Sequence, residues 1–113
     1  MAEIYRGAFA LATYTEGDNK DKNRVILGAK VANELMNISN VKASFVFTSC
    51  DNEVYISARS IDEVNVQLLM EKIGGGGHLS VAGAQPKGVT IEEAITMVKE
   101  LLDSCIESGE ISV

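Results

Sequence analysis

The stretch that decides the fold begins with Glu53–Ser60, EVYISARS, and continues through Asn65–Ala84, NVQLLMEKIGGGGHLSVAGA. The first part alternates strictly. Val54, Ile56 and Ala58 fall on one face, and Tyr55, Ser57 and Arg59 on the other, which is the period of a half-buried strand. In the second part Asn65 stands where a helix N-cap belongs. Val66, Leu69, Met70 and Ile73 recur at helical spacing behind it. Gly74 stops that helix and opens a run of four glycines that ends in His78. Ser80–Ala84 consists mostly of small residues, suited to close packing.

Working outward, Lys42–Cys50 (KASFVFTSC) is rich in β-branched and aromatic residues, and Asp51-Asn52 reads as a tight turn. The two runs therefore form a hairpin with Glu53–Ser60. Upstream, Ile4–Tyr14 reads as a single strand, and Thr15–Asn23 as a polar loop. A helix with Asn23 as N-cap then runs to about Ile38, with Val25, Ala29, Ala32, Leu35 and Met36 on its buried stripe. Downstream, Gln85–Val89 has room for a short strand, which Pro86 confines to an edge or an end. Thr90 and Glu93 form a capping box. Ile91, Ala94, Ile95, Val98, Leu101, Leu102 and Cys105 make the stripe of a last helix, which Gly109 ends. The expected order is β-α-β-β-α-(β)-α. This is a mixed α/β (α+β) fold, a small mixed sheet with helices packed on it.

The 113 residues fit one domain, spanning 1–113. No run of 18 or more apolar residues is present. The N-terminus MAEIYR lacks the features of a signal peptide. Cys50 and Cys105 sit in no metal or redox motif, which is the usage of reduced thiols in a cytosolic setting. The net charge of −6 argues against binding long nucleic acid through a basic face. It leaves room for a small anion held by a few cations and backbone N–H groups.

Chemistry concentrates at the glycine run. Four glycines in series lose much conformational entropy on folding. Their N–H groups can converge on an anion as a nest, and His78 can donate to a phosphate. Taken alone, the run also reads as a helix C-cap followed by a flexible turn. The spacing matches neither GxxxxGK[ST] nor GxGxxG after a strand. Arg59 offers a planar fork suited to phosphate, and alone it also reads as a surface arginine. With one histidine and no HxxxH or HExxH, the sequence shows no hydrolytic metal site.

The segment Ile56–Gln85 resembles the DHH-associated domain of the DHH phosphoesterase superfamily. The S-x-R-S strand end, the following helix, the G-G-G-H run and the small-residue segment carry the likeness. Asn65-Val66-Gln67 and Met70-Glu71-Lys72 bring it nearest to the version found in membrane-anchored cyclic di-AMP phosphodiesterases. The resemblance implies a substrate-binding domain that closes over a preceding DHH domain, which holds two manganese ions. Arg59 and Ser60 on the strand, and Gly75, Gly76, Gly77 and His78 on the loop, would contact the substrate. That substrate would be a cyclic dinucleotide, or a short oligonucleotide if the parent is a soluble exonuclease or phosphatase of the same superfamily. A third alternative is the non-catalytic RNA-binding module of alanyl-tRNA synthetases. The resemblance also allows a homodimer, and a cytoplasmic domain whose parent is anchored in the cell membrane. No DHH motif is present, so no catalytic residue and no cofactor is assigned to this chain. Met1-Ala2-Glu3 directly before a strand leads to the expectation of a piece cut from a longer protein, or of a free-standing binding domain.

Overall fold

The computed structural model describes residues 2–113. Nine elements follow one another: β1 (Ala2–Tyr5), β2 (Phe9–Tyr14), α1 (Asn23–Leu35), β3 (Ala43–Cys50), β4 (Glu53–Ser60), α2 (Val66–Glu71), β5 (Gly76–Gly77), β6 (Val81–Ala84) and α3 (Ile91–Glu107). The strands form one six-stranded sheet in the order β1-β2-β3-β4-β6-β5. Only the β2–β3 pair is parallel, joined through α1; the other neighbours are antiparallel. The fold is mixed α/β, as the sequence pattern indicates.

One face of the sheet carries the main core. Phe9, Leu11, Phe45, Phe47, Val54, Ile56, Ala58, Ala82 and Ala84 meet Val66, Leu69 and Met70 of α2 and Ala94, Val98, Leu102 and Cys105 of α3. Both helices are started by local side-chain bonds. Asn65 Oδ1 accepts from the Leu68 N–H at 3.1 Å, and Thr90 and Glu93 close a capping box. Each satisfies donors that a first helical turn leaves unpaired. At the hairpin between β3 and β4, Asp51 and Asn52 both take positive φ, 52° and 65°. That is the twist a two-residue hairpin turn requires.

Three expectations are corrected. Ile4–Tyr14 is two strands rather than one. Arg6 and Gly7 reverse the chain at φ 54° and 70°, and the uninterrupted β-forming composition on both sides hides the break. Helix α1 has no side-chain cap; Asp21 Oδ1 instead accepts from the Asn23 N–H at 2.9 Å. Of the expected stripe, Ala32 is buried and Leu35 packs beside it, but Val25, Ala29 and Met36 are only half-buried, and the remaining buried positions are Arg24 and Gly28. The reason is close approach: a Cβ at Gly28 would collide with the Thr48 hydroxyl. Finally, residues 85–89 form no strand; Val81–Ala84 within the small-residue segment forms β6 between β4 and β5, and Gly76–Gly77 forms the edge strand β5. Gly83 passes so near β4 that an added Cβ would stand 2.8 Å from the Ile56 carbonyl oxygen.

Helix α1 packs on β2, β3 and part of β4 on the second face of the sheet. It leaves the β4-β6-β5 portion of that face uncovered.

Candidate functional site

The uncovered portion forms a shallow concavity of about 600 Å³, with Tyr55, Ser57, Arg59, Gly76, His78 and Gln85 among its lining residues. Gly75 and Gly77 line it as well. Register explains the convergence. Arg59 pairs with Val81 and Ser57 with Gly83 across β4 and β6, and Gly76 pairs with Gly83 across β6 and β5. The chain from His78 to Val81 is a tight turn, in which the His78 N–H donates to the Val81 carbonyl at 2.7 Å. The glycine run therefore folds back beside the end of the Arg59 strand.

Arg59 is half-buried, and two side-chain bonds hold its guanidinium. Nε donates to Asn33 Oδ1 of α1 at 2.7 Å, and Nη1 donates to the Ala58 carbonyl at 2.8 Å. A guanidinium has five N–H donors, so three remain without a protein acceptor among the described residues. No carboxylate of the described residues pairs with it. Burial pulls its pKa below the ordinary arginine value, yet arginine stays charged at neutral pH. A fixed cation without a counterion thus faces the concavity, and the exposed ring of His78 lies on the same rim.

The four glycines have different tasks. Gly74, at φ 88°, terminates α2. Its N–H donates to Glu71, and that of Gly75 to Met70 at 2.8 Å, the paired bonds of a Schellman cap. Gly75 packs against the Gly83 carbonyl and Ala84, which leaves no room for a Cβ. Gly77 has φ 143°, and a Cβ there would lie 2.5 Å from Ala82 Cα. Gly76 needs neither freedom: its φ is not positive and an added Cβ would meet nothing within 4 Å. The run is not an anion nest. The N–H groups of Gly74, Gly75 and His78 already donate within the chain, and the loop is an edge strand.

Ser60 is not brought to this concavity. It lies on the opposite strand face, and its hydroxyl donates to the Val64 carbonyl at 2.6 Å, holding the corner between β4 and α2. Ser57, by contrast, lines the concavity. Sequence reasoning did not reach the cluster at the far end. There Glu53 Oε1 accepts from Lys87 Nζ at 3.0 Å, and Oε2 accepts from the Gln85 amide and from the Tyr55 hydroxyl. Lys87 holds the Glu53 carboxyl below the usual carboxylate range. Burial and the neighbouring Glu53 charge push the Tyr55 phenol up.

A second groove on the α3 side, lined by Leu11, Ile91 and Ile95 with Glu3 and Glu92 at its rim, presents no cation to an anion. Among the described residues, no three His, Cys, Asp or Glu side chains gather where a metal could bind. The chain's own donors therefore do not fit a manganese pair.

Known proteins share this sequence and this fold. Residues 8–108 match the DHHA1 domain. The chain belongs to the DHHA1 domain family. It is 38% identical over 107 residues to the cyclic-di-AMP phosphodiesterase GdpP of Bacillus subtilis, covering 94% of the chain and 16% of that protein. It is 42% identical over 103 residues to the cyclic-di-AMP phosphodiesterase PdeA of Listeria monocytogenes, covering 90% of the chain and 15% of the relative. The chain thus spans about a sixth of the length of these curated relatives. The fold also matches the crystal structure of an exopolyphosphatase-related protein from Bacteroides fragilis, with a TM-score of 0.78 at 24% identity, over 92% of this chain and 31% of that one. No described helix is long and apolar enough to cross a membrane.

Proposed function

We propose that this DHHA1 domain is the substrate-binding domain of a DHH-family phosphodiesterase that hydrolyses cyclic di-AMP to a linear dinucleotide. The observation that carries the reading is Arg59. It is a charged, oriented guanidinium with unused donors and no counterion, set beside a glycine edge strand and His78. The chain carries 16 acidic residues, and among the described residues none of them pairs with this guanidinium. The similarity to two cyclic-di-AMP phosphodiesterases supports the nucleotide class.

In this reading Arg59 binds a phosphate through its free N–H groups, an arrangement stronger than neutral hydrogen bonds. Asn33 keeps the guanidinium in place before the ligand arrives, which lowers the ordering cost of binding. His78 adds a donor from the rim. Gly76, with nothing over it, lets the ligand approach the sheet edge. Ser60 acts through the corner it holds. Residues 1–113 act as one domain and supply no catalytic group. The metal ions and the attacking water belong to a DHH domain elsewhere in the parent protein, which by the same resemblance is membrane-anchored with this domain on the cytoplasmic side.

The test is titration of the chain with cyclic di-AMP and with the linear dinucleotide, followed by NMR. Shifts are expected at Arg59, Gly76 and His78. Arg59→Ala is expected to cost ~1.5–3 kcal/mol, a tenfold to hundredfold loss of affinity. No binding at millimolar ligand, or equal affinity in Arg59→Ala, would overturn the assignment.

A further inference from the structure

We infer that the far end of the same concavity is an adenine subsite, with Tyr55 as its stacking platform and the Gln85 amide as its edge reader. The inference rests on the reading above, in which a phosphate sits at Arg59.

Two independent rulers give the length of the trough. Tyr55 and Arg59 lie on one face of β4 four residues apart, about 13 Å at the rise of a strand. On the α1 side, Asn33 bonds Arg59 at one end, and Val25 lines the concavity toward the other. The eight helical steps between them span about 12 Å. A phosphate, a sugar and a base joined in line fill such a reach. The floor between the two ends is small: Ser57 and its registered partner Gly83. The chemistry changes along the trough in the same sense, from a cation at Arg59 to an aromatic ring and the Val25 side chain.

The far end is held by charge. Glu53 accepts from Lys87, from the Tyr55 hydroxyl and from Gln85 Nε2. A carboxylate only accepts, so the amide of Gln85 must turn its nitrogen toward Glu53. Its Oε1 is left as an acceptor, and no donor among the described residues reaches it. The N6 amino group of the adenine in the proposed substrate is a donor that suits a fixed amide oxygen. A base with a carbonyl at that position would set two acceptors against each other. The Tyr55 ring, tethered through its hydroxyl and half-buried, is an ordered surface for a base to stack on.

The experiment measures the affinity of the chain for ribose 5-phosphate, adenosine 5′-monophosphate and inosine 5′-monophosphate, which carries a carbonyl in place of the N6 amino group. Adenosine monophosphate is expected to bind more tightly than ribose 5-phosphate, and also more tightly than inosine monophosphate. Tyr55→Leu is expected to lower adenosine monophosphate affinity about five- to hundredfold and to leave ribose 5-phosphate affinity unchanged. Tyr55→Phe keeps the ring and is expected to retain most of it, which separates lost stacking from misfolding. Gln85→Leu is expected to erase the preference for adenosine over inosine monophosphate. Equal binding of ribose 5-phosphate and adenosine monophosphate would overturn the base subsite while leaving the phosphate site standing. So would a tighter adenosine monophosphate that neither variant affects. Failure of all three ligands to bind, or binding that Arg59→Ala leaves unchanged, would remove the phosphate site and this subsite together.

Discussion

Substituting alanine at Gly76 and at Gly77 separates architecture from ligand approach within one loop. At Gly77 the backbone sits at φ 143°, and the new Cβ would stand 2.5 Å from both Ala82 Cα and the Val81 carbonyl oxygen. A residue forced into such a conformation costs about 1–3 kcal/mol. The collision with backbone that has nowhere to move adds about 1–3 kcal/mol more. Gly77→Ala is therefore expected to destabilise by ~2–6 kcal/mol. At Gly76 the φ is ordinary and the Cβ would meet nothing within 4 Å. Alanine there reduces the freedom of the unfolded chain, so stability should stay level or rise by ~0.4–1 kcal/mol. Its methyl group projects onto the face that is proposed to receive the ligand. Gly76→Ala should therefore weaken cyclic di-AMP binding in a fully folded protein. Urea unfolding, with the midpoint and slope read separately, measures the first effect, and ligand titration of the same samples measures the second. Equal destabilisation by the two substitutions would refute the division of tasks. A stable Gly76→Ala protein with wild-type affinity would refute the approach of ligand at this edge.

Leu102→Ala, at a position 0% exposed, is expected to cost ~2–5 kcal/mol, and Leu101→Ala, only half-buried, less; urea midpoints decide the order. Ser60→Ala removes the bond to the Val64 carbonyl and should cost ~0.5–1.5 kcal/mol of stability, with any affinity loss smaller than that of Arg59→Ala in the same titration. Glu53 titrates below the ordinary glutamate value because Lys87 and its hydrogen-bond donors favour the charged form. Its contribution is thus present above the unfolded-state pKa and lost as pH falls through the lowered folded value. Lys87→Met should move the Glu53 carboxyl titration, followed by NMR, up toward the ordinary glutamate range; an unchanged midpoint would show that Lys87 is not its main partner. The purified chain with added Mn²⁺ should not hydrolyse cyclic di-AMP, since its described residues offer no metal donor set; turnover would contradict this.

The amino-acid sequence alone determined what depends on near neighbours. The caps at Asn65 and Thr90–Glu93, the stripe of α3 and the turn at Asp51-Asn52 need only residues a few positions apart. The strand alternation also placed Ser57 and Arg59 on one face. Only the tertiary structure decided which glycine serves packing and which lies open, because that depends on where β6 pairs with β4 and β5. It also turned Ser60 to the α2 corner and brought Gln85 beside Glu53, 32 residues earlier. The open face itself exists because α1, held close by Gly28, stops short of β6 and β5. Such facts follow from register and from the seating of a helix on a sheet. Both are set by contacts between distant residues, and no local pattern in the chain encodes them.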